Sequence, residues 1–355
     1  MAMIEIDGGY LEGGGQIVRT AVGLAAATGQ AVRIHSIRKG RRVPGLAAQH
    51  VKGVEAVACL CGAKVSGAGI GSTELEFVPG ELDPPQEMSV QVGTAGSVTL
   101  VLQGLMVALA AARRPAPARR PAPARRKVEV EVTGGTHVAW APTSDYFSGV
   151  FAWFLGRMGV RVLTLDAAPG FYPKGGGRLR LEVDAGPLRP VTLTERGRLL
   201  RTEARSIATD SLERAQVAER QLEGVRRVLE VDAERADYVR SFSVGTAVLV
   251  RAAYEGCRLG ASALGKRGKP AEKVGAEAAR AMKSLMGVRQ DGAGACLDEH
   301  MADQILPYLA LAGGESAVRV AAVTDHCRTN IWVIEKFLPA RFEVDESEGL
   351  IRCRA

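Results

Sequence analysis

Apolar residues recur along this chain in two periods, and the order of those periods repeats. From Gly13 an apolar helix (QIVRTAVGLAAATG) leads to a strand (AVRIHSIRKG), a loop, a second helix (AAQHVKGVEAVACLCG) and two short strands (AKVSG, TELEFVPG). The order returns from Gly93 as SVTLVLQGLMVALAAA, KVEVEVTGG, a loop, SDYFSGVFAWFLGRMG, VRVLTL and RLRLEV. A third pass begins near Asp298 with MADQILPYLALAGG, AVRVAAVTD, a loop, RTNIWVIEKFL, ARFEV and LIRCRA. Helical segments carry apolar residues at i, i+3 and i+4, and strands alternate with period two. Each unit would cover one face of a sheet with two helices and leave surface that only its neighbours can bury. The pattern therefore predicts an α/β (α+β) protein of three repeated βαβαββ-like units packed around a pseudo-threefold axis.

Residues 185–272 fall outside that register. They contain a charged helix (SLERAQVAERQLEGVRRVLEV) and a strand (SVGTAVLVRAAYE), read as a smaller inserted α/β domain. The large domain is then 1–184 with 273–355, and a helix from Ala271 to Met286 returns the chain to its core. RRPAPA occurs twice in tandem at 113–124, where four prolines and no apolar period predict an extended solvated loop.

Composition narrows the class. A chain of 355 residues with 46% hydrophobic and 5% aromatic content, and with 42 glycines, suits globular domains with cores of Ala, Val and Leu. The longest apolar run, Val98 to Ala112, contains Gln103 and is too short for a membrane span, so no membrane partner is expected. No apolar export segment opens the chain, and six cysteines stand without a CxxC pair, so a reduced, cytoplasmic protein is expected. The net charge of +7 points less to a nucleic-acid partner than it first suggests. Arg113, Arg114, Arg119, Arg120, Arg125, Arg126 and Lys127 supply all of it, leaving 39 residues of each sign elsewhere.

Candidate chemistry lies in the loops. Glu12-Gly13-Gly14-Gly15-Gln16 precedes the first helix, as either a tight turn or a cradle whose backbone N–H groups meet an anion. Arg19 follows inside that helix, and Arg38, Lys39, Arg41 and Arg42 decorate the loop after the next strand; guanidiniums converging there would suit a polyphosphate. Phe171-Tyr172-Pro173-Lys174-Gly175-Gly176-Gly177 is a second triglycine, open to a hairpin or a phosphate role. Of five histidines, His326 stands on a strand-to-helix loop after a strand ending at Thr324, where neutral imidazole can act as nucleophile or base. Asp325, Asp303 and Glu299 are the candidates to orient it. No GxxxxGK[ST], GxSxG or HExxH occurs, so P-loop, serine-hydrolase and zinc-protease chemistry are unsupported.

The blocks EGGGQIVRTAVGLAAATG, IRKGRRVPGLAAQH, GTAGSVTLVLQ, GFYPKGGGRL, MADQILPYLALAGG and TDHCRTN, in this order and spacing, resemble the RNA 3′-terminal phosphate cyclase family from about Ile4 to the C-terminus. The resemblance implies three α/β units with an inserted domain. It also implies ATP-dependent conversion of an RNA 3′-phosphate to a 2′,3′-cyclic phosphodiester through a histidine–AMP adduct and an RNA-3′-pp-5′-A intermediate. His326 matches the adenylylated histidine. Glu12 matches a residue near a divalent cation (Mg or Mn) and the triphosphate. Arg19, Arg38, Arg41 and Gln49 match residues around phosphates, and Gln103, Pro142, Asp303 and Gln304 residues around the nucleotide. Pro169 departs from the His or Arg that usually begins the second glycine motif, and His300 stands where an aromatic beside the adenine is usual. ATP and an RNA with a 3′-phosphate end are the implied partners, and an oligomer is possible. The rival reading is a non-catalytic, cyclase-like scaffold of ribosome assembly. An enolpyruvate-transferase-like enzyme shares only the fold, which says little about the reaction.

Overall fold

Period-two alternation condenses into four four-stranded sheets, three of which share one strand order. The computed structural model describes residues 3–112, 127–288 and 293–355, so the RRPAPA tract lies outside the described residues. The first unit comprises β1 (Ile4–Asp7), α1 (Gly15–Thr28), β2 (Val32–His35), α2 (Ala48–Cys61), β3 (Lys64–Ser66) and β4 (Leu75–Val78), in sheet order β1-β2-β4-β3. The second has β5 (Glu87–Gln91), α3 (Val98–Ala111) and β6 (Lys127–Gly134). A helical run follows from α4 (Ser144–Tyr146) through a π-turn (Phe147–Phe151) into α5 (Ala152–Arg157), then β7 (Val160–Ala168) and β8 (Gly177–Ala185), in order β5-β6-β8-β7.

After β9 (Thr192–Leu193) a different sheet is interposed. It contains β10 (Leu199–Thr209), a 3₁₀ turn (Asp210–Ala215), α6 (Val217–Arg226), β11 (Ala233–Val239), β12 (Thr246–Tyr254), β13 (Arg258–Leu264) and α7 (Ala271–Met286), in order β11-β10-β12-β13. The chain ends with α8 (Glu299–Ala312), β14 (Glu315–Arg319), α9 (Asp325–Phe337), β15 (Arg341–Asp345) and β16 (Leu350–Arg354), whose sheet order is β15-β16-β14-β9. In each of the three like sheets the first strand pairs parallel with the second, and the remaining contacts are antiparallel. A parallel pair needs a crossover, and α1 and α3 supply it in the first two. In the last, the whole interposed sheet lies between β9 and α8.

Several elements differ from expectation. β9 falls within 185–272 yet pairs with β14. α7 does not return to the central core; it packs on α6, β12 and β13. The expected long charged helix breaks at Gln216, whose φ of 50° separates the 3₁₀ turn from α6. β10, β11 and β13 escape the sequence pattern because β11 has no buried position, and the buried positions of β10 and β13 are largely Ala, Gly, Ser and Thr, which carry little hydrophobic signal.

The centre of the molecule is α3, whose residues are buried on nearly every face against α1, α2 and α8. Such a helix has no polar stripe, which is why VTLVLQGLMVALAA reads as one apolar run. Its approach to α1 depends on two glycines. A Cβ on Gly23 would sit 2.8 Å from the Gly104 carbonyl oxygen, and one on Gly104 3.1 Å from the Arg19 carbonyl oxygen. Backbone contact between these helices aligns the side chains at their flanks, and there the candidate site forms.

Candidate active site

α1, α3, α8 and α9 converge on a cleft whose polar lining is Gln16, Arg19, Thr20, Gln103, Asp303, Gln304 and Asn330, backed by Tyr308 and Phe151. Arg19 Nε donates to Gln103 Oε1 at 3.1 Å, fixing the guanidinium over α3. Burial lowers the Arg19 pKa to about 10 against the opposing pull of Asp303, which still leaves it cationic at neutral pH. Thr20 Oγ1 donates to Asn330 Oδ1 at 2.8 Å, and Asn330 Nδ2 donates to the Asp303 carbonyl at 2.9 Å. One buried amide thus ties α1 and α8 to α9.

His326 adjoins this cleft. It is the second residue of α9 rather than a loop residue, and the preceding strand ends at Arg319, five residues earlier than the pattern suggested. Thr324 caps α9 by accepting from Cys327 N at 3.2 Å. The imidazole Nε2 lies 2.5 Å from Glu12 Oε2, and Nδ1 lies 3.7 Å from Asp303 Oδ2. Its carbonyl accepts from Gln16 Nε2 at 3.1 Å, which joins α9 to the start of α1. Asp303 first, and Glu12 after it, hold the His326 pKa above its ordinary value despite burial. Of the sequence candidates to orient the ring, Asp303 faces Nδ1, whereas Asp325 pairs with Arg328 at 3.7 Å.

The glycine turn faces the same point. Gly14 caps α1 without any side-chain partner, so the first N–H groups of α1 stay open to an anion, as do the N-terminal amides of any uncapped helix. Arg41 Nη2 stands 3.6 Å from Glu12 Oε2 and 3.5 Å from a Cβ built on Gly14. Beneath the turn lies His50: a Cβ on Gly15 would fall 2.1 Å from its Nε2. Burial first, then Arg19 and Arg38, push the His50 pKa down to about 3, so the ring is neutral. Its Nδ1 accepts from Ala47 N at 3.0 Å, which assigns the ring proton to Nε2.

Of the remaining sequence-predicted residues, Arg38, Gln49, Pro142 and His300 lie outside the cleft lining. Arg38, at φ 55°, donates to the Gly45 carbonyl at 2.7 Å. Gln49 Oε1 accepts from Ser97 N at 2.8 Å, and the Pro142 carbonyl accepts from Thr99 Oγ1 at 2.7 Å. Gln304 lines the cleft while its Nε2 donates to the His300 carbonyl at 2.5 Å. The His300 ring stands edge-on to Tyr146 at 6.2 Å between centroids. Sequence reasoning took Gln16 only as the end of the glycine motif and passed over Thr20, His50 as a support, Tyr308 and Asn330. A signal existed for Thr20 and Asn330, which are polar residues on otherwise apolar helix faces.

Two atoms of this site are buried without a hydrogen-bond partner, Gln16 Oε1 and the Tyr308 hydroxyl. Such atoms are costly unless a ligand or water completes them, so the cleft suits a polar occupant. Among the described residues no three His, Cys, Asp or Glu side chains form a group able to hold a metal ion. Also among them, no helix is long and apolar enough to cross a membrane.

A family model for RNA 3′-terminal phosphate cyclase matches residues 10–344. The chain is 42% identical to an RNA 3′-terminal phosphate cyclase of Methanopyrus kandleri, over 98% of this chain and 97% of the relative. It is 41% identical to that of Pyrococcus abyssi, over 98% and 96%. Against that of Nitrosospira multiformis it is 42% identical, over 99% and 96%. With the match running through the glycine turn, the guanidinium loop and the His326 helix at near-complete length, the chain belongs to the RNA 3′-terminal phosphate cyclase family.

Proposed function

We propose that this chain consumes ATP to convert an RNA 3′-terminal phosphate into a 2′,3′-cyclic phosphodiester through a covalent adduct on His326. The observation that carries the reading is the meeting of the His326 imidazole with Glu12 and Asp303, beside an uncapped helix start and the guanidiniums of Arg19 and Arg41. Either carboxylate can accept the imidazole proton and leave a nitrogen lone pair free. That nitrogen attacks the α-phosphorus of ATP; the bond to the β-phosphate oxygen breaks and pyrophosphate leaves. An oxygen of the RNA 3′-phosphate then attacks the same phosphorus, breaking its bond to His326 and giving RNA-3′-pp-5′-A. Finally the ribose 2′-OH attacks the terminal RNA phosphorus and expels AMP, its proton going to solvent. Closure is fast because nucleophile and phosphorus share one ribose.

Arg19 and Arg41 supply the positive field for the phosphates, and the N–H groups of α1 add to it. Gln103, Asp303 and Gln304 would hold the nucleotide, with Pro142 and His300 toward its base and Arg38 and Gln49 supporting the phosphate side from the positions described. A divalent ion (Mg or Mn) would use Glu12 as its protein ligand and complete its shell with phosphate oxygens and water, neutralising the leaving pyrophosphate. We also propose a large unit of three repeats about a pseudo-threefold axis carrying this site, with the inserted unit beginning after β9 and extending through α7 instead of stopping at 272. No observation favours the scaffold reading.

The test is incubation with α-phosphate-labelled ATP. Wild type should carry acid-labile label and His326→Ala should carry none. Label persisting on His326→Ala would overturn the assignment, and label on wild type with no cyclic product from 3′-phosphate RNA would overturn the reaction.

A further inference from the structure

Among the described residues four aromatic side chains are exposed: Tyr10, Trp140, Tyr172 and Phe242. Tyr10 stacks on Trp332 at 4.2 Å, which accounts for it. The other three lie on three loops that converge at one end of the second unit. Trp140 is on the β6–α4 loop, Tyr172 on the β7–β8 loop that carries the second triglycine, and Phe242 on the β11–β12 loop of the interposed sheet. Thr136 N and His137 N both donate to the Gly170 carbonyl, at 3.0 and 3.1 Å, which joins the first loop to the second. Lys174 N donates to Ser243 Oγ at 3.0 Å, and a Cβ on Gly176 would lie 2.1 Å from Phe242 Cδ2, which joins the second to the third.

Trp140 is 98% exposed and sits at φ 66°, a backbone region that a bulky residue seldom adopts. A ring presented this way adds nothing to the core, and strain of this kind points to a surface role. Two cations share these loops. Lys174 is exposed, and the Arg240 side chain is almost fully so, its nearest acid, Asp210, being 3.7 Å away. A run of packing contacts also leads from these loops to the site. Gly175 abuts Thr94 and Ala95; Gly96 abuts Gln49; and His50, next in sequence to Gln49, underlies the glycine turn that carries Glu12.

We propose that Trp140, Tyr172 and Phe242 form a stacking platform for unpaired bases of the RNA strand on the 5′ side of its terminal phosphate, with Lys174 and Arg240 meeting backbone phosphates. This rests on the cyclase reading of the His326 site. Bare ring faces beside cations bind single strands with little sequence preference, because every base has a π face and every linkage a charge. A 3′ end held in a duplex offers no free base faces and loses the platform.

The test measures binding of labelled 3′-phosphate RNAs to the full chain, wild type, Trp140→Ala and Trp140→Phe, alongside ATP-dependent self-labelling. Trp140→Ala should weaken binding of a single strand of roughly ten nucleotides about tenfold. Trp140→Phe should restore most of that loss. A dinucleotide 3′-phosphate, a blunt duplex end and self-labelling should be unaffected. Unchanged affinity of Trp140→Ala for the longer strand overturns the platform. So does a loss of self-labelling with RNA affinity intact, which would put Trp140 on the nucleotide. A fall in sedimentation mass with RNA affinity intact overturns it too, making the patch a contact between copies. If wild type is never labelled by ATP the proposed reaction fails, while the RNA-binding arm still judges the platform separately.

Discussion

Asn330 makes two hydrogen bonds that hold three helices in register at the site, accepting from Thr20 and donating to the Asp303 carbonyl. Replacing it by alanine leaves a buried hydroxyl and a carbonyl unpaired. We expect Asn330→Ala to lower stability by about 1–3 kcal/mol in urea unfolding. It should also slow self-labelling, since Asp303 loses its tether while its carboxylate is what faces His326 Nδ1. Gly15 is the second sensitive position. A methyl there meets the neutral His50 ring, which is wedged between Ala47 and the turn. Gly15→Ala should fold less stably and label poorly, and Gly15→Ala with His50→Ala, which clears the ring, should recover stability measured by thermal unfolding. His326, Glu12, Arg19 and Arg41 were legible because a rare imidazole, a glycine run and a guanidinium cluster each stand out in sequence. His50 and Tyr308 were not, because an interior histidine and an interior tyrosine look the same whether they support a site or a core.

Helix against helix, the closest approach outside the site lies between α6 and α7. A Cβ on Gly224 would fall 2.0 Å from the Glu272 carbonyl oxygen, and one on Gly275 1.8 Å from the Gln221 carbonyl oxygen. The two glycines answer each other across the crossing, so neither tolerates a side chain. Gly275→Ala should push the helices apart at a cost of about 1–3 kcal/mol, read as a lower urea midpoint. Because α7 packs on this sheet and not on α1 or α3, ATP-dependent labelling at temperatures below unfolding should persist. Apart from β12, the strands of this sheet were among the least legible elements. Their buried faces are filled by residues such as Ala204, Ala252, Ala261 and Ala263, whose small side chains give almost no alternation in hydrophobicity. Most strands of the three like sheets carry Val, Ile and Leu instead and were read from their alternation, whereas the short first strands β1, β5 and β9 were not.

Across the whole chain, a run of polar side-chain contacts links the second unit to the interposed sheet. His137 Nε2 pairs with Asp145 Oδ2 at 2.7 Å, Asp145 pairs with Arg205, and Arg205 Nε donates to Asp237 Oδ2 at 2.7 Å. Burial alone would raise the Asp145 pKa, but His137 and then Arg205 outweigh it and hold it at about 2. A carboxyl depressed on folding contributes stability that is present above its ordinary range and lost as pH falls through the folded value. Acid unfolding of wild type should therefore include a loss between about pH 4 and pH 2 that Asp145→Asn lacks. At neutral pH, Asp145→Asn should cost about 3 kcal/mol in urea unfolding, because Arg205 and His137 lose their shared partner. Local periodicity determined most helices and strands of the three like sheets and their order along the chain, since burying one face of a helix or strand writes itself into nearest neighbours. The glycine turn and His326 were marked by unusual residues at short range. What tertiary structure alone decided is which distant side chains meet: Glu12 with His326, Thr20 with Asn330, Asp145 with Arg205, and β9 with β14 across the interposed sheet. Such pairs are separated by tens to hundreds of residues, and no local period encodes a contact that exists only once the sheets have packed.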